Sequence, residues 1–189
     1  MDSATALGHV RALLQDTGKD HVWRDPLLTF FLEEAVNRLA PECALRSREA
    51  VTPAGETELS LTTLFGAPVI AVEQVKTADT DSFSYDIFGD AIIFTGDLPA
   101  EPYTIYALRE FVDITEVPRT LVDACVYYAA GRAFRWLVNR GGAGLRRYLD
   151  EQGELEAAEL SDVAASYETD YFARRSELAT AQTMVGTWG

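Results

Sequence analysis

Cysteine and histidine are scarce. Cys43 and Cys125 stand far apart with no CxxC or His-spaced partner, which leaves no zinc set and no disulfide framework and assigns both thiols to small apolar positions. His9 and His21 lack metal-ligand spacing as well. No apolar run approaches the ~20 residues of a membrane span, and the N-terminus has no basic stretch followed by an apolar core. The sequence therefore predicts a chain that stays in the cytosol where it is made and avoids the membrane. Lysine is nearly missing too, with Lys19 and Lys76 the only lysines among 16 bases. The remaining bases are arginine, whose planar fork can hold a carboxylate bidentately. Against them stand 30 acids, and a net charge of -14 repels nucleic acid, so a sequence-reading DNA-binding module is disfavoured.

Motifs for chemistry are missing as well. There is no nucleophile elbow, P-loop, dinucleotide fingerprint or HExxH. "GGAGL" from Gly141 follows a helix instead of a strand and has no Lys-Ser/Thr pair, so it reads as a helix-ending linker. Glu33 and Glu34 are adjacent on a helix, not co-facial, which makes them a solvated face instead of an acid/base pair. Asp79 and Asp81 lack the glycine and final glutamate of a calcium loop. The expectation is a protein without catalytic residues, cofactor or metal.

What is present is an ordinary globular composition, 48% hydrophobic over 189 residues, enough to bury roughly two-thirds of the unfolded surface in one domain or one helical body with an inserted subdomain. The stretch "LLQDTGKDHVWRDPLLTFFLEEAVNRL" reads as the end of one helix, a polar turn carrying a tryptophan, and a second helix. Ser3 is the expected N-cap of the first, with Leu7, Val10, Leu13 and Leu14 at helical spacing. Asp25 and Pro26 read as cap and first position of the second, whose apolar face runs Leu28, Phe31, Leu32, Ala35, Val36 and Leu39 until Pro41 stops it.

From about Val51 to Val112 the rhythm shifts to period two. "TELSL", "VIAVEQV", "FSYDIF", "AIIFTG" and "YTIYALREFV" read as short antiparallel strands, with "FGD" as a hairpin tip and hairpins alone able to make the pairings. Pro118 opens a third helix with a broad apolar stripe of Leu121, Val122, Cys125, Val126, Ala129, Ala130, Ala133, Phe134 and Leu137, the mark of a central helix. Gly141 or Gly142 is suited to the left-handed cap that ends it. A last helical region runs to about Thr180, with a break near Gly153, Ser161 as cap of its final part, and Val163, Tyr167, Tyr171, Phe172 and Leu178 toward the bundle. The predicted fold class is α+β: a bundle of about four helices with an inserted small antiparallel β subdomain. Its predicted divisions are an N-terminal hairpin over 1–45, the β subdomain over 46–114, C-terminal helices over 115–180 and a tail over 181–189.

Charge is segregated near the end of the third helix. Arg132, Arg135, Arg140, Arg146 and Arg147 are followed by Asp150, Glu151, Glu154, Glu156, Glu159 and Asp162. One reading is internal pairing and solvation. The other is a head-to-tail subunit interface, for which Arg132, Arg135, Arg140, Arg146, Arg147, Glu151, Glu154 and Glu159 are the candidate residues.

In this layout the chain resembles the head–tail connector, or adaptor, proteins of tailed bacteriophages. The resemblance begins with Leu13, Leu14, Gln15 and Asp16, continues through Trp23, Leu27, Leu28, Glu33, Glu34 and Asn37, and extends to "GDLPAEPYTIYALREFVDIT", "VPRTLVDACVYYAAGRAFRW" and "SYETDYFARRSELA". Arg24 and Asp25 stand where the family often has Ser-Asp, and the β insert matches the versions with an added subdomain. The resemblance implies a structural virion protein of the neck, assembled in the host cytoplasm into a ring of about twelve copies. Such a ring binds the portal protein and the next tail or neck component, joins capsid to tail, and continues the channel through which DNA passes without specific binding. Met184, Val185 and Trp188 would then dock the tail on the portal, the other reading being a frayed end. Acids lining the channel would keep DNA from sticking, although solubility explains most of them more simply. The alternatives are another neck component, such as a stopper or tail-completion protein, and a cytosolic ligand-binding domain or enzyme.

Overall fold

The computed structural model describes residues 1–16, 20–40, 42–77, 83–96, 100–152 and 156–185, with side chains through residue 179. The elements in chain order are α1 (Ser3–Leu13), α2 (Asp25–Asn37), β1 (Leu45–Val51), β2 (Glu58–Ser60), α3 (Leu61–Phe65), β3 (Val69–Lys76), β4 (Tyr85–Phe88), β5 (Ala91–Phe94), β6 (Tyr103–Arg109), α4 (Arg119–Arg140), α5 (Gly142–Gln152) and α6 (Ala157–Val185). Contacts divide the chain into two units: residues 1–42 with 113–189, which are helical, and residues 43–112, which hold both sheets. The fold class is α+β.

In the helical unit α4 touches α1, α2, α5 and α6. Every residue of its predicted stripe is buried, and Ala124, Tyr128 and Gly131 are buried beside it, so little of the helix is left for solvent. The predicted face of α2 is buried from Leu28 to Leu39. Each large apolar side chain removed from water here contributes roughly 1.5–3 kcal/mol. Both cysteines are buried. At Gly131 the helices come close: a Cβ there would lie 3.0 Å from the Ala164 carbonyl oxygen and 3.2 Å from the Tyr167 Cβ. Only glycine lets α6 approach α4 at this point.

Several helix boundaries differ from the sequence expectation, and each has a local cause. Asp2 caps α1 in place of Ser3, its carboxylate accepting from the Thr5 amide at 2.7 Å. Asp25 is the first residue of α2 instead of its cap, because its carboxylate is drawn away to Arg11, whose Nε donates to it at 3.1 Å. That helix ends at Asn37, short of Pro41, which lies outside the described residues. Pro118 takes the N-cap position of α4. Gly141 ends α4 with φ 58° and ψ -151°, a positive-φ conformation open to glycine but not the left-handed helical cap. Ser161 lies inside α6, its hydroxyl donating to the Ala157 carbonyl at 3.2 Å, and α6 continues past Thr180 to Val185. Gly153, the expected break, lies outside the described residues, between α5 and α6.

In the sheet unit β6 is central to a sheet of order β1-β6-β3, and β5 to a sheet of order β2-β5-β4. Pairing by hairpins alone does not hold. Among the described residues only β4 and β5 form a tight hairpin, turning at Gly89 and Asp90, whereas β1 pairs antiparallel with β6 from Leu45↔Arg109 to Val51↔Tyr103. The first strand thus closes on the last, and β6 supplies the reason: its alternate residues Tyr103, Ile105, Ala107 and Arg109 are buried on one face. Val75, Tyr103, Ile105 and Ala107 of one sheet share a core with Ile92 and Phe94 of the other and with Leu61 and Phe65 of α3. β1 and α3 were not anticipated. "LRSREAV" alternates between half-exposed and exposed positions, so it carries little apolar signal. "TELSL" yields only the short strand β2, after which Ser60 caps α3 by accepting from the Thr63 amide at 3.2 Å.

Candidate interaction surface

The turn between α1 and α2 is built around a buried carboxylate. Asp16 accepts from Arg11 Nη1 at 2.7 Å and from the Val22 amide at 2.9 Å, while Arg11 Nη2 donates to the Trp23 carbonyl at 3.0 Å. Trp23 is thereby turned fully inward, its Nε1 donating to the Ala133 carbonyl of α4 at 3.1 Å and its ring meeting Tyr148 edge-on at 5.2 Å. The Tyr148 hydroxyl donates back to the Leu14 carbonyl at 3.1 Å; burial, then the nearby Asp16 charge, push its pKa up to about 12. The Leu-Leu-Gln-Asp and Trp elements are therefore one construction that seats the first two helices on α4.

That seating sets the face of α4 opposite its core. Arg132, Arg135, Trp136, Asn139 and Arg140 recur at intervals of three and four, so they share one face, and with Phe31 of α2 they line an open groove of about 530 Å³. Glu34 of α2 anchors one end: it accepts from Arg132 Nε and Arg38 Nε at 3.1 Å and from the Tyr128 hydroxyl at 3.0 Å. Burial, then this bond, raise the Tyr128 pKa to about 12. Arg135 Nη2 donates to Glu168 of α6 at 2.8 Å, while its buried Nε has no acceptor among the described residues. The Arg140 guanidinium lies over the Trp136 ring at 4.9 Å and has no carboxylate partner among the described residues.

The other predicted interface residues are elsewhere. Arg146 and Arg147 are exposed on α5, with Arg147 Nε 3.8 Å from Glu151 one turn on and its Nη2 donating to the Asp20 carbonyl at 3.3 Å. Glu159 is in the first turn of α6, accepting from the Glu156 amide at 2.7 Å. Arg132, Arg135 and Arg140 are thus brought together; Arg147 joins Glu151, and Glu159 stands apart. Glu154 and Trp188 lie outside the described residues, and Met184 and Val185 fall in the last turn of α6, not in a separate tail. Sequence reading missed Phe31, Trp136 and Asn139 as groove residues; the i, i+4 pairing of Trp136 with Arg140 was the available signal. The sheet unit has its own exposed apolar point, Ile87 and Phe88 at the β4–β5 turn, with Phe88 80% exposed. Among the described residues no three His, Cys, Asp or Glu side chains are grouped to hold a metal ion, and no helix is long and apolar enough to cross a membrane.

No family model matches the chain. No curated protein matches it. Among solved structures it is similar to a chain from the neck of an empty gene transfer agent particle computed with C6 symmetry: identity is 18%, TM-score 0.34, covering 72% of this chain and 80% of that one. A chain from the virion of a native gene transfer agent particle is similar at 18% identity and TM-score 0.33, covering 82% and 90% respectively. Likenesses this weak carry no argument about fold or function.

Proposed function

We propose that this chain is a non-enzymatic structural protein of the neck of a tailed phage or phage-like particle. In this reading it is an adaptor whose copies form a ring of about twelve under the portal and continue the DNA channel into the tail. The sequence resemblance to connector proteins supports the identity, and the weak structural likenesses are not needed for it. The observation that carries the reading is the segregation of charge on the helical unit, with an arginine and tryptophan groove on α4 and, at the start of α6, exposed acids that have no arginine partner among the described residues. Surfaces so complementary, on one chain and not mated to each other, suit a heterologous contact that repeats until it closes. The net charge of -14 suits a channel from which DNA must slide freely. Ile87 and Phe88 suit contact with the next tail component, and Met184, Val185 and Trp188 suit docking on the portal.

The test is the mass of the purified chain, alone and mixed with the portal protein encoded near its gene, followed by imaging of any large species. A coaxial ring on the portal is the expected result. A persistent monomer or dimer that never joins the portal would sink the proposal and favour a small-molecule-binding domain.

A further inference from the structure

We propose that the α2–α4 groove is a socket for the acidic start of α6 from a second copy, with Arg140 and Trp136 receiving Glu159 and Asp162. This rests on the ring reading above and names the surfaces by which the ring would close. Arginine and aromatic groups concentrated in a concave, partly desolvated site are the composition of interface hot spots. The chemistry the groove takes is visible within one subunit: Arg132 and Arg135 already hold the carboxylates of Glu34 and Glu168. Among the described residues Arg140 has no carboxylate partner, and its guanidinium lies over the Trp136 ring at 4.9 Å, a contact that narrows the directions in which its fork points before it pairs.

The complementary surface is Glu156, Glu159 and Asp162, all exposed and with no arginine partner in their own subunit among the described residues. Glu159 and Asp162, three residues apart, share one face of α6 over about 4.5 Å, and Glu156 immediately precedes the helix. Key and socket are different surfaces of the same helical unit, so each copy that fills a neighbour's groove leaves its own groove for the next.

The experiment uses the full chain with Arg140→Glu and Asp162→Arg, both at surface positions, circular dichroism confirming that each variant folds. The assembled fraction is measured by mass at fixed concentration, with the portal added if the wild type needs it. Each single reversal is expected to lower that fraction at least tenfold, and an equimolar mixture of the two variants to restore it, because each then meets an opposite charge. Arg140→Cys with Asp162→Cys in one chain should give a disulfide-linked ladder of multimers, the native cysteines being buried. Wild-type rings with no rescue by mixing and no ladder would overturn the socket while leaving the ring reading standing. Rings unaffected by either reversal, with portal binding lost only in Arg140→Glu, would assign the groove to the portal instead. No ring and no ladder under any condition would overturn both.

Discussion

Replacing Asp16 by alanine tests whether the resemblance motif is a structural keystone. The carboxylate is 4% accessible and faces Arg11, 12% accessible, at 2.7 Å, so solvent screens the pair little. Its removal deletes a charge-assisted hydrogen bond of about 1.5–3 kcal/mol and strands the Val22 amide, at about 1–3 kcal/mol. Arg11 keeps Asp25 and the Trp23 carbonyl, so its charge is not orphaned and the loss stays at the low end of the roughly 3–5 kcal/mol of breaking a buried pair. The expected loss is about 3 kcal/mol, or roughly 6–12 °C in melting temperature for a chain of this size. Asp16→Asn keeps an acceptor for Val22 but turns amide hydrogens toward Arg11, and should fall between wild type and alanine. Thermal unfolding followed by far-ultraviolet circular dichroism reads the helical unit, which holds nearly all the helix. If Asp16→Ala melts within about 2 °C of wild type, the cluster is effectively solvated and the keystone argument is wrong.

Two further outcomes follow from the same packing. Tyr128 and Tyr148 have folded pKa values raised to about 12 from the unfolded 10.0, so their contribution is complete below pH 10 and lost as pH rises toward 12. Alkaline unfolding monitored across that window should be steep, and Tyr148→Phe should flatten it; an unchanged slope would refute the assignment. Gly131→Val forces a side chain against the Ala164 carbonyl oxygen and Tyr167, so the α4–α6 spacing must open, at about 3 kcal/mol or more. Gly131→Ala should cost less, since about 1 kcal/mol of helix propensity offsets its smaller clash, and denaturant midpoints of the two variants would expose a reversed order.

The predicted faces of α2 and α4 are buried residue for residue because a helix records its buried side in its own local spacing, which no distant contact needs to specify. The Gly89–Asp90 turn and the run of strands were legible for the same reason. Caps were less so: Asp25 had a local role available in α2, but Arg11 of α1 took its carboxylate. β1 escaped because both of its faces are largely polar, and its place is defined only by pairing with β6, far along the chain.

The arginines divide along the same line. Composition and order alone determined that the chain is acidic, poor in lysine and chemistry-bearing motifs, and charged in alternating blocks near the end of α4. Which guanidiniums were already occupied was decided by the tertiary structure, since Glu34 and Glu168 reach Arg132 and Arg135 from other helices while Arg140 is left on Trp136. Periodicity is a property of neighbours in sequence, and it can encode an ion pair one turn apart such as Arg147 with Glu151; a pair between helices, such as Arg135 with Glu168, belongs to whatever side chains folding brings within about 4 Å.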